Sequence, residues 1–286
     1  MGRKRKHHEI PEYYLRGFCE PGTSFVWTFD KIRPFLPGAK RGVNNPVRSG
    51  VRLTALREDE YLARTPMGKK HYEFESKLQR KEHLADSAIR KVCAFQPVTD
   101  SDKKILAAYV FLMLKRVTKR DREMRVNVKT ALNRMTTAQR AQAKRSGRGV
   151  EESNRLMKEI GFWDSEDGVT DALRRTMVED VGLVHGVLSA RTWEFVKPSP
   201  GEFFVTSDNP VVFDKVLGLE RATLIFPLSQ RVILVTDGSN DLAYRTASSE
   251  EVRKYNALIV VTAEREVYAP QPEEWIHIGW TKGFTF

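Results

Sequence analysis

The chain has 286 residues, of which 41% are hydrophobic and 30% are charged, and its formal net charge is +11. This composition supports a sizeable core and excludes an intrinsically disordered, collagen-like or low-complexity chain. The longest apolar run covers residues 105–114, well short of the roughly 20 residues that a membrane-spanning helix needs. We expect a cytoplasmic protein without a membrane partner, because no apolar signal segment follows the basic N-terminus.

The first predicted element is a short helix. Pro11 suits a first helical turn, and Tyr14, Leu15 and Phe18 give this helix an apolar face. His8 lies just before the turn, where a neutral imidazole could ligate a metal or exchange a proton near pH 7. For a single histidine, a structural role at the start of the helix or in the core is the more frequent alternative.

Residues 72–92 have apolar positions at helical spacing, and Glu75 and Glu82 fall on the same face, two turns apart. A buried carboxylate rarely lacks a partner, so one interpretation is a pair of buried ion pairs with Arg16 or Arg116. The other is an inward-facing acidic site. A separation of roughly 10 Å along the helix suits two metals, or a metal and a general base, better than one shared ion.

The positive charge is concentrated in the middle of the chain. Residues 101–150 include 14 basic and three acidic side chains, so this segment alone carries +11 and the remaining 236 residues sum to zero. A helix capped by Thr99 or, less favourably, Ser101 is predicted to follow Pro97. It is apolar to Leu114 and then has an apolar stripe with cations on its other faces, and a basic linker over 140–149 follows it. Concentrated positive charge attracts phosphate polyanions. A solvated face or a patch for an acidic protein are the alternatives.

Short apolar runs after residue 190 predict strands, and a helix capped by Ser248 or Ser249 is predicted to run to about residue 265. The predicted strands cover residues 25–29, 193–196, 203–206, 211–213, 223–227, 232–236 and 267–269. We therefore expect one α+β domain over residues 1–286, with a mixed sheet built from the N- and C-terminal strands. That sheet packs against a central, strongly basic group of helices at about 72–190.

A polar turn, residues 206–210, interrupts two of these strands. Asp, Asn and Pro favour an ordinary hairpin turn, but a carboxylate at a strand end, here Asp208, is also rigidly positioned for metal ligation or proton transfer. Asn256 should point inward from its helix, and a buried amide needs partners, so we expect it to bond the neighbouring loop.

Several motifs that define enzyme classes are absent from the sequence. It has no Walker A loop, no G-x-G-x-x-G, no H-E-x-x-H, no G-x-S-x-G and no C-x-x-C pair. P-loop NTPases, Rossmann enzymes, zincins, elbow-type esterases and zinc deaminases therefore lose support.

A series of short motifs runs along the chain in a definite order. They are a His-Pro-Tyr-Leu helix start, an aromatic strand, paired glutamates, a Trp, a Thr-Ser-Asp-Asn-Pro turn, a Phe-Pro-Leu-Ser stretch, an inward Asn and a Val-Tyr-Ala strand, at residues 8–18, 26–31, 75 and 82, 193, 206–210, 226–229, 256 and 267–269. This order resembles the domain-of-unknown-function 4238 family over nearly the whole chain. The resemblance implies a single domain and singles out His8, Glu75, Glu82 and Asp208, but it implies no activity.

The leading hypothesis is a metal-dependent phosphodiesterase that acts on DNA or RNA. Its catalytic residues would be His8, Glu75, Glu82 and Asp208, and the three carboxylates would hold one or two Mg²⁺ or Mn²⁺ ions. Substrate contacts are expected from Arg116, Lys119, Arg120, Arg122 and Asn209. The alternatives are a non-catalytic nucleic-acid-binding protein whose Glu, Arg and Asn network is structural, and a module that binds an acidic protein.

Overall fold

The computed structural model describes residues 6–8, 10–31, 46–54, 56–58, 73–116, 118–145, 165, 169, 188–213, 223–236 and 240–276. The chain divides into two compact units, one of residues 1–7, 58–80 and 118–181 and the other of residues 8–57, 81–117 and 182–286. The assignment of one domain to the whole chain stays a prediction. A helix long and apolar enough to cross a membrane does not occur in the described ranges.

The helices are α1 (Glu12–Leu15), α2 (Glu73–Cys93), α3 (Asp100–Arg116), α4 (Thr118–Arg145) and α5 (Ser249–Thr262). Helices α2 and α5 lie where the sequence predicts them, whereas α3 and α4 are two elements in the place of one predicted helix. Ser248 caps α5: its hydroxyl accepts from the Glu251 N–H at 3.2 Å, and the Glu251 carboxylate accepts from the Ser248 N–H at 2.9 Å. This reciprocal pair satisfies two N–H groups that the helix leaves without internal partners, and it selects Ser248 from the two predicted caps.

The strands form three sheets. They are β1 (Lys6–His8), β2 (Phe25–Asp30), β3 (Val47–Gly50), β4 (Leu56–Glu58), β5 (Trp193–Lys197), β6 (Thr206–Ser207), β7 (Val212–Phe213), β8 (Leu224–Ser229), β9 (Val232–Thr236), β10 (Ala243–Thr246) and β11 (Glu266–Ala269). β1 and β4 pair as a two-stranded sheet.

N-terminal and C-terminal strands share a four-stranded antiparallel sheet in the order β3-β2-β11-β6. A five-stranded sheet in the order β10-β5-β9-β8-β7 is mixed, since β10 and β5 are parallel and the other pairs antiparallel. The α+β class and a sheet that joins the two ends of the chain are confirmed. The second sheet, built from C-terminal strands alone, was not predicted.

The turn at 206–210 is not a hairpin. β6 belongs to the four-stranded sheet and β7 to the five-stranded sheet, so the chain crosses from one sheet to the other between Ser207 and Val212. The hydrophobic core includes residues on both sides of this crossing. Phe204 and Val205 before it and Val212 after it pack in one buried cluster with side chains of α5. The polar turn therefore lies at a structural branch point.

Two predicted boundaries are wrong. His8 ends strand β1 rather than preceding a helix directly, and α1 begins after Pro11. Helix α4 continues to Arg145, through the first half of the predicted linker. Residues 140–145 are Ala, Gln, Lys and Arg, which favour helix, and the first glycine after them is Gly147. The rest of the predicted helical middle, 146–187, lies outside the described residues apart from 165 and 169.

Candidate functional site

Helix α4 carries the charge that the sequence analysis singled out. Nine of its residues are Lys or Arg and two, Asp121 and Glu123, are acidic; from residue 124 to the end at Arg145 no acid occurs. The packed face of its second half is formed by Leu132 and Thr136, which are buried. The opposite side of the helix is exposed over residues 126–142, and its own residues there include cations and no acid.

Two cations on this exposed side are Lys129 and Arg134. Neither makes an ion pair with another residue in the part of the chain that the structure describes. Exposed, unneutralised cations on a rigid helix keep their long-range field, which is what attracts a polyanion from solution.

The four predicted cationic contacts lie on described backbone. Arg116 is the last residue of α3, and Lys119, Arg120 and Arg122 lie in the first two turns of α4. Their side chains lie outside the description, so their contacts stay predictions.

The paired glutamates lie on α2, as predicted. Glu82 is half-buried on a face that continues through the buried Ala85, Ile89 and Val92, and it already takes part in a polar interaction. The side chains of Glu75 and His8 lie outside the described residues. Of the predicted catalytic set, only Glu82 and Asp208 have described side chains.

Asp208 is buried at the end of β6, with 7% of its surface exposed. Its Oδ1 accepts the Glu264 N–H at 2.9 Å, and its Oδ2 accepts those of Arg265 at 2.7 Å and Glu266 at 3.1 Å. Its own N–H donates to the Glu266 carbonyl at 2.9 Å. We call this arrangement the Asp208 junction: the carboxylate of Asp208 and the backbone of residues 264–266.

Burial raises the pKa of Asp208 to about 6, because the charged form loses its hydration, while the three N–H groups oppose that rise. The carboxylate can therefore exchange a proton near neutral pH, as a general acid or base must. Its oxygens, however, are directed at backbone donors that join β6 to the turn before β11. The contacts are those of a carboxylate that secures a loop.

A shared metal site does not emerge from the described side chains: among them, no three His, Cys, Asp or Glu residues lie together as possible ligands. A divalent ion prefers several carboxylate and water oxygens. Asp208 alone already accepts three hydrogen bonds, so it has few free lone pairs left for a divalent ion.

Asn209 and Asn256 also bond to backbone. Asn209 donates from Nδ2 to the Thr262 carbonyl at 3.0 Å, which ties the turn to the end of α5. Asn256 accepts from the Val205 N–H at 3.0 Å and donates to the Phe203 carbonyl at 2.8 Å, so the prediction that it bonds the neighbouring loop is confirmed. Both amides position the segment between β5 and β7.

Tyr14 was not among the site residues predicted from the sequence. Its hydroxyl, fully buried, donates to the Pro227 carbonyl at 2.7 Å and shares a hydrogen bond with Thr206 Oγ1 at 2.8 Å. Its ring stacks on Phe226 with centroids 5.5 Å apart and an interplanar angle of 2°. Burial raises the pKa of this phenol well above its usual range. The residue could have been found from the motifs, because Tyr14, Thr206 and Phe226 each belong to one of them.

These contacts bring three distant motifs to one place. The helix-start motif, the polar turn and the Phe-Pro-Leu-Ser stretch meet at the Tyr14 hydroxyl. Gly17 allows close packing in the same region, since a Cβ at this position would lie 3.1 Å from the Ser229 Cβ. The motifs that define the resemblance thus include residues that hold the fold together.

The comparisons with known proteins agree with this resemblance. A family model described as a protein of unknown function (DUF4238) matches residues 6–273. No curated protein and no solved structure matches the chain. Because the match covers almost the whole chain, the protein belongs to the DUF4238 family.

Proposed function

We propose that this member of the DUF4238 family binds nucleic acid and that α4 contacts the phosphate backbone. The observation that carries the proposal is the exposed side of α4, which has cations and no acid after Glu123. Sequence-independent binding to DNA or RNA comes mainly from such cations, which displace the counterions of the phosphates. The proposal keeps the expected cytoplasmic location, where RNA and, in cells without a nucleus, DNA are accessible.

The dimensions of α4 suit this role. Residues 126–142 extend over roughly 25 Å at 1.5 Å per residue. Duplex DNA presents one phosphate charge per ~1.7 Å of axis, so a helix of this length lies beside several phosphates. An acidic protein partner would need a row of carboxylates that matches these cations. If such a protein were the partner instead of nucleic acid, binding of the chain to polynucleotides would be undetectable at moderate salt.

The test is fluorescence anisotropy with labelled DNA and RNA duplexes and single strands at several salt concentrations. Lys129→Glu and Arg134→Glu each reverse one exposed charge on α4. We expect each substitution to weaken binding severalfold at low salt. The plot of log affinity against log salt should also become less steep, with the magnitude of its slope reduced by about 1 to 2.

The matched control is Lys254→Glu, at an exposed position of α5. It gives the protein the same net charge as the α4 variants, so a loss of affinity caused by net charge alone would appear in all three. Equal losses, or no binding by the native chain at 50 mM salt, would contradict the assignment of α4 as the contact surface.

Metal-dependent hydrolysis of the bound nucleic acid is the second candidate function. The raised pKa of Asp208, about 6, favours it, because perturbed carboxylates are frequent among catalytic groups. Glu75, Glu82 and Asp208 would hold Mg²⁺ or Mn²⁺ and His8 would ligate or accept a proton, with Asn209 beside the substrate. The backbone contacts of Asp208 are the argument against it.

Hydrolysis is tested with purified protein, labelled DNA and RNA, and Mn²⁺ or EDTA. The catalytic candidate requires Mn²⁺-dependent cleavage that Glu82→Gln and Asp208→Asn each reduce by a hundredfold or more. Binding without cleavage supports the non-catalytic proposal. Cleavage that survives both substitutions unchanged assigns the activity to other residues.

A further inference from the structure

The turn after helix α2 contains an aromatic residue with an unusual backbone conformation. Phe95 has a φ of 57°, in the left-handed region that favours glycine. Its N–H donates to the Val92 carbonyl at 2.9 Å, and the Gln96 N–H donates to the Lys91 carbonyl at 3.1 Å. Glycine is the usual residue at the position of Phe95 in this pattern of bonds. A phenylalanine there is strained, so its ring must supply interactions that offset the strain.

The ring of Phe95 holds two cations. Lys197 Nζ lies 4.9 Å from the ring centroid, and Arg231 Cζ lies 5.1 Å from it. Lys197 is the last residue of β5, and Arg231 immediately precedes β9, which pairs antiparallel with β5. Both residues therefore lie at the same end of the five-stranded sheet. An aromatic face attracts a cation, but two cations that share one uncharged ring also repel each other without a counter-charge.

Neither cation has an anionic partner in the part of the chain that the structure describes. Lys197 and Arg231 make no ion pair there, and no described oxygen accepts a hydrogen bond from either side chain. An ammonium carries three N–H donors and a guanidinium five. Arg231 is exposed and Lys197 is half-buried, so these donors are accessible to a ligand from solvent.

Another cation on an aromatic ring shows what the described residues do not supply at Phe95. The Arg48 Cζ lies 4.0 Å from the centroid of Phe25, and the same guanidinium donates to the two carboxylate oxygens of Glu20 at 2.9 and 2.7 Å. That cation contacts a ring and a carboxylate together. At Phe95, two cations share a ring, and no described carboxylate pairs with either. The position of the anion is open to a ligand.

The end of α2 does not require these two cations. Cations near the C-terminus of a helix can stabilise its free carbonyl groups. Here the carbonyls of Lys91 and Val92 already accept N–H groups, and the Gln96 carbonyl accepts the Tyr244 hydroxyl at 2.8 Å. Asp102 interacts electrostatically with Tyr244, but its carboxylate binds the Lys91 ammonium at 2.6 Å. A structural role at the helix end therefore leaves the donors of both cations unexplained.

We propose that Lys197 and Arg231 bind a phosphate monoester group beside Phe95. A guanidinium binds phosphate through two parallel hydrogen bonds, and an ammonium adds a point charge. A phosphate monoester carries nearly two negative charges at neutral pH, which matches two cations, whereas a carboxylate carries one. Phe95 is a positioning residue, because its ring keeps the two cations together.

The monoester belongs either to a small molecule or to the 5′ end of a nucleic acid. The site contains no residue of α4, so it does not depend on the proposed contact between α4 and the phosphate backbone.

The first experiment is an NMR titration of the full chain at constant ionic strength with phenyl phosphate and, as a monoanion of similar shape, benzenesulfonate. We expect phenyl phosphate to bind saturably and at least about fivefold more tightly, because it carries the second charge near pH 7.5. A native chain that does not bind phenyl phosphate saturably, or that binds both probes equally, would overturn the proposal.

Arg231→Gln and Lys197→Gln should each weaken the binding of phenyl phosphate at least about fivefold, as expected when one of two charge-assisted contacts is lost. Arg48→Gln is the matched control, since it removes the same charge from a ring-stacked cation that already has a carboxylate. It should bind like the native chain. Equal losses in all three variants would reject the two cations at Phe95 as the binding site.

Thermal melts separate binding from a structural role. Phenyl phosphate should raise the Tm of the native chain and of Arg48→Gln, and it should raise the Tm of Arg231→Gln much less. A merely structural role predicts a different result: Arg231→Gln would melt several degrees lower without ligand, and phenyl phosphate would not change the Tm of the native chain. That result would overturn the proposal.

The source of the phosphate is identified with hexathymidylate that carries either a 5′-phosphate or a 5′-hydroxyl group. The two oligonucleotides differ only in that group, so contacts of the phosphate backbone elsewhere contribute equally to both. Tighter binding of the 5′-phosphorylated form, lost in Arg231→Gln, identifies the end of a nucleic acid as the ligand. Equal binding of the two forms, together with saturable binding of phenyl phosphate, identifies a small phosphate monoester.

Discussion

Helix α4 and the Asp208 junction use charged side chains in opposite ways. On α4, Lys129 and Arg134 face solvent and contribute little to packing. At the junction, the carboxylate of Asp208 is buried and accepts three backbone N–H groups. The difference teaches that the charge pattern on α4 is free to serve a partner, whereas the carboxylate that the sequence motif highlighted is already occupied by the fold.

The largest expected effect comes from Asp208→Ala. It leaves three N–H groups without their acceptor, which should lower the free energy of unfolding by about 3 kcal/mol or more. Urea unfolding followed by circular dichroism measures this loss. A loss below 1 kcal/mol would show that the junction does not hold the turn, and it would return Asp208 to the list of residues available for catalysis.

The pH dependence of the free energy of unfolding should report the ionisation of the same carboxylate. The folded pKa of about 6 lies above the reference value of 3.8, so between these values the folded chain binds more protons than the unfolded chain. The part of the stability that depends on protonation of Asp208 is therefore fully present below pH 4 and is lost as pH rises through 6, by at most about 3 kcal/mol. Unfolding midpoints of the native chain and of Asp208→Asn between pH 4 and 7 measure it; parallel profiles would contradict the assignment.

Tyr14→Phe tests whether the contacts that join the three motifs stabilise the fold. The change removes a buried hydroxyl that bonds Thr206 and Pro227, and we expect a loss of about 1 to 2 kcal/mol. Tyr244→Phe is the control, because Tyr244 is only half-buried and the bond from its hydroxyl to the Gln96 carbonyl, at 2.8 Å, is open to solvent, so water can replace that bond. Equal losses in the two variants, again from urea unfolding, would remove the distinction between buried and exposed hydroxyls.

The smallest effect on stability is expected on α4. Arg134→Ala removes an exposed cation and should change the free energy of unfolding by less than about 0.5 kcal/mol. Its nucleic-acid affinity should nevertheless fall severalfold at low salt. A loss of stability comparable to that of Asp208→Ala would mean that the cations of α4 are structural.

Elements with a strong local pattern were predicted well. The capping box at Ser248, the strand Val232–Thr236 and the aromatic strand from Phe25 each have a signal contained within a few residues. Strand β10 was missed, because its four residues are partly buried or exposed without apolar alternation. Its pairing depends on β5, nearly fifty residues earlier.

The candidate site was predicted less completely. The inward direction of Asn256 followed from helical spacing, and its bond to the neighbouring loop is confirmed. The partners of Asp208 did not follow, since backbone N–H groups have no signature in a sequence.

The sequence by itself determined the secondary-structure types, the α+β class, the family and the concentration of positive charge, all of which depend on neighbouring residues or on composition. Only the tertiary structure decided that the polar turn joins two sheets and that Asp208 secures residues 264–266. The physical reason is distance along the chain: β6 meets β11 through a pairing of residues about sixty positions apart, and no local preference specifies which distant backbone a carboxylate will meet.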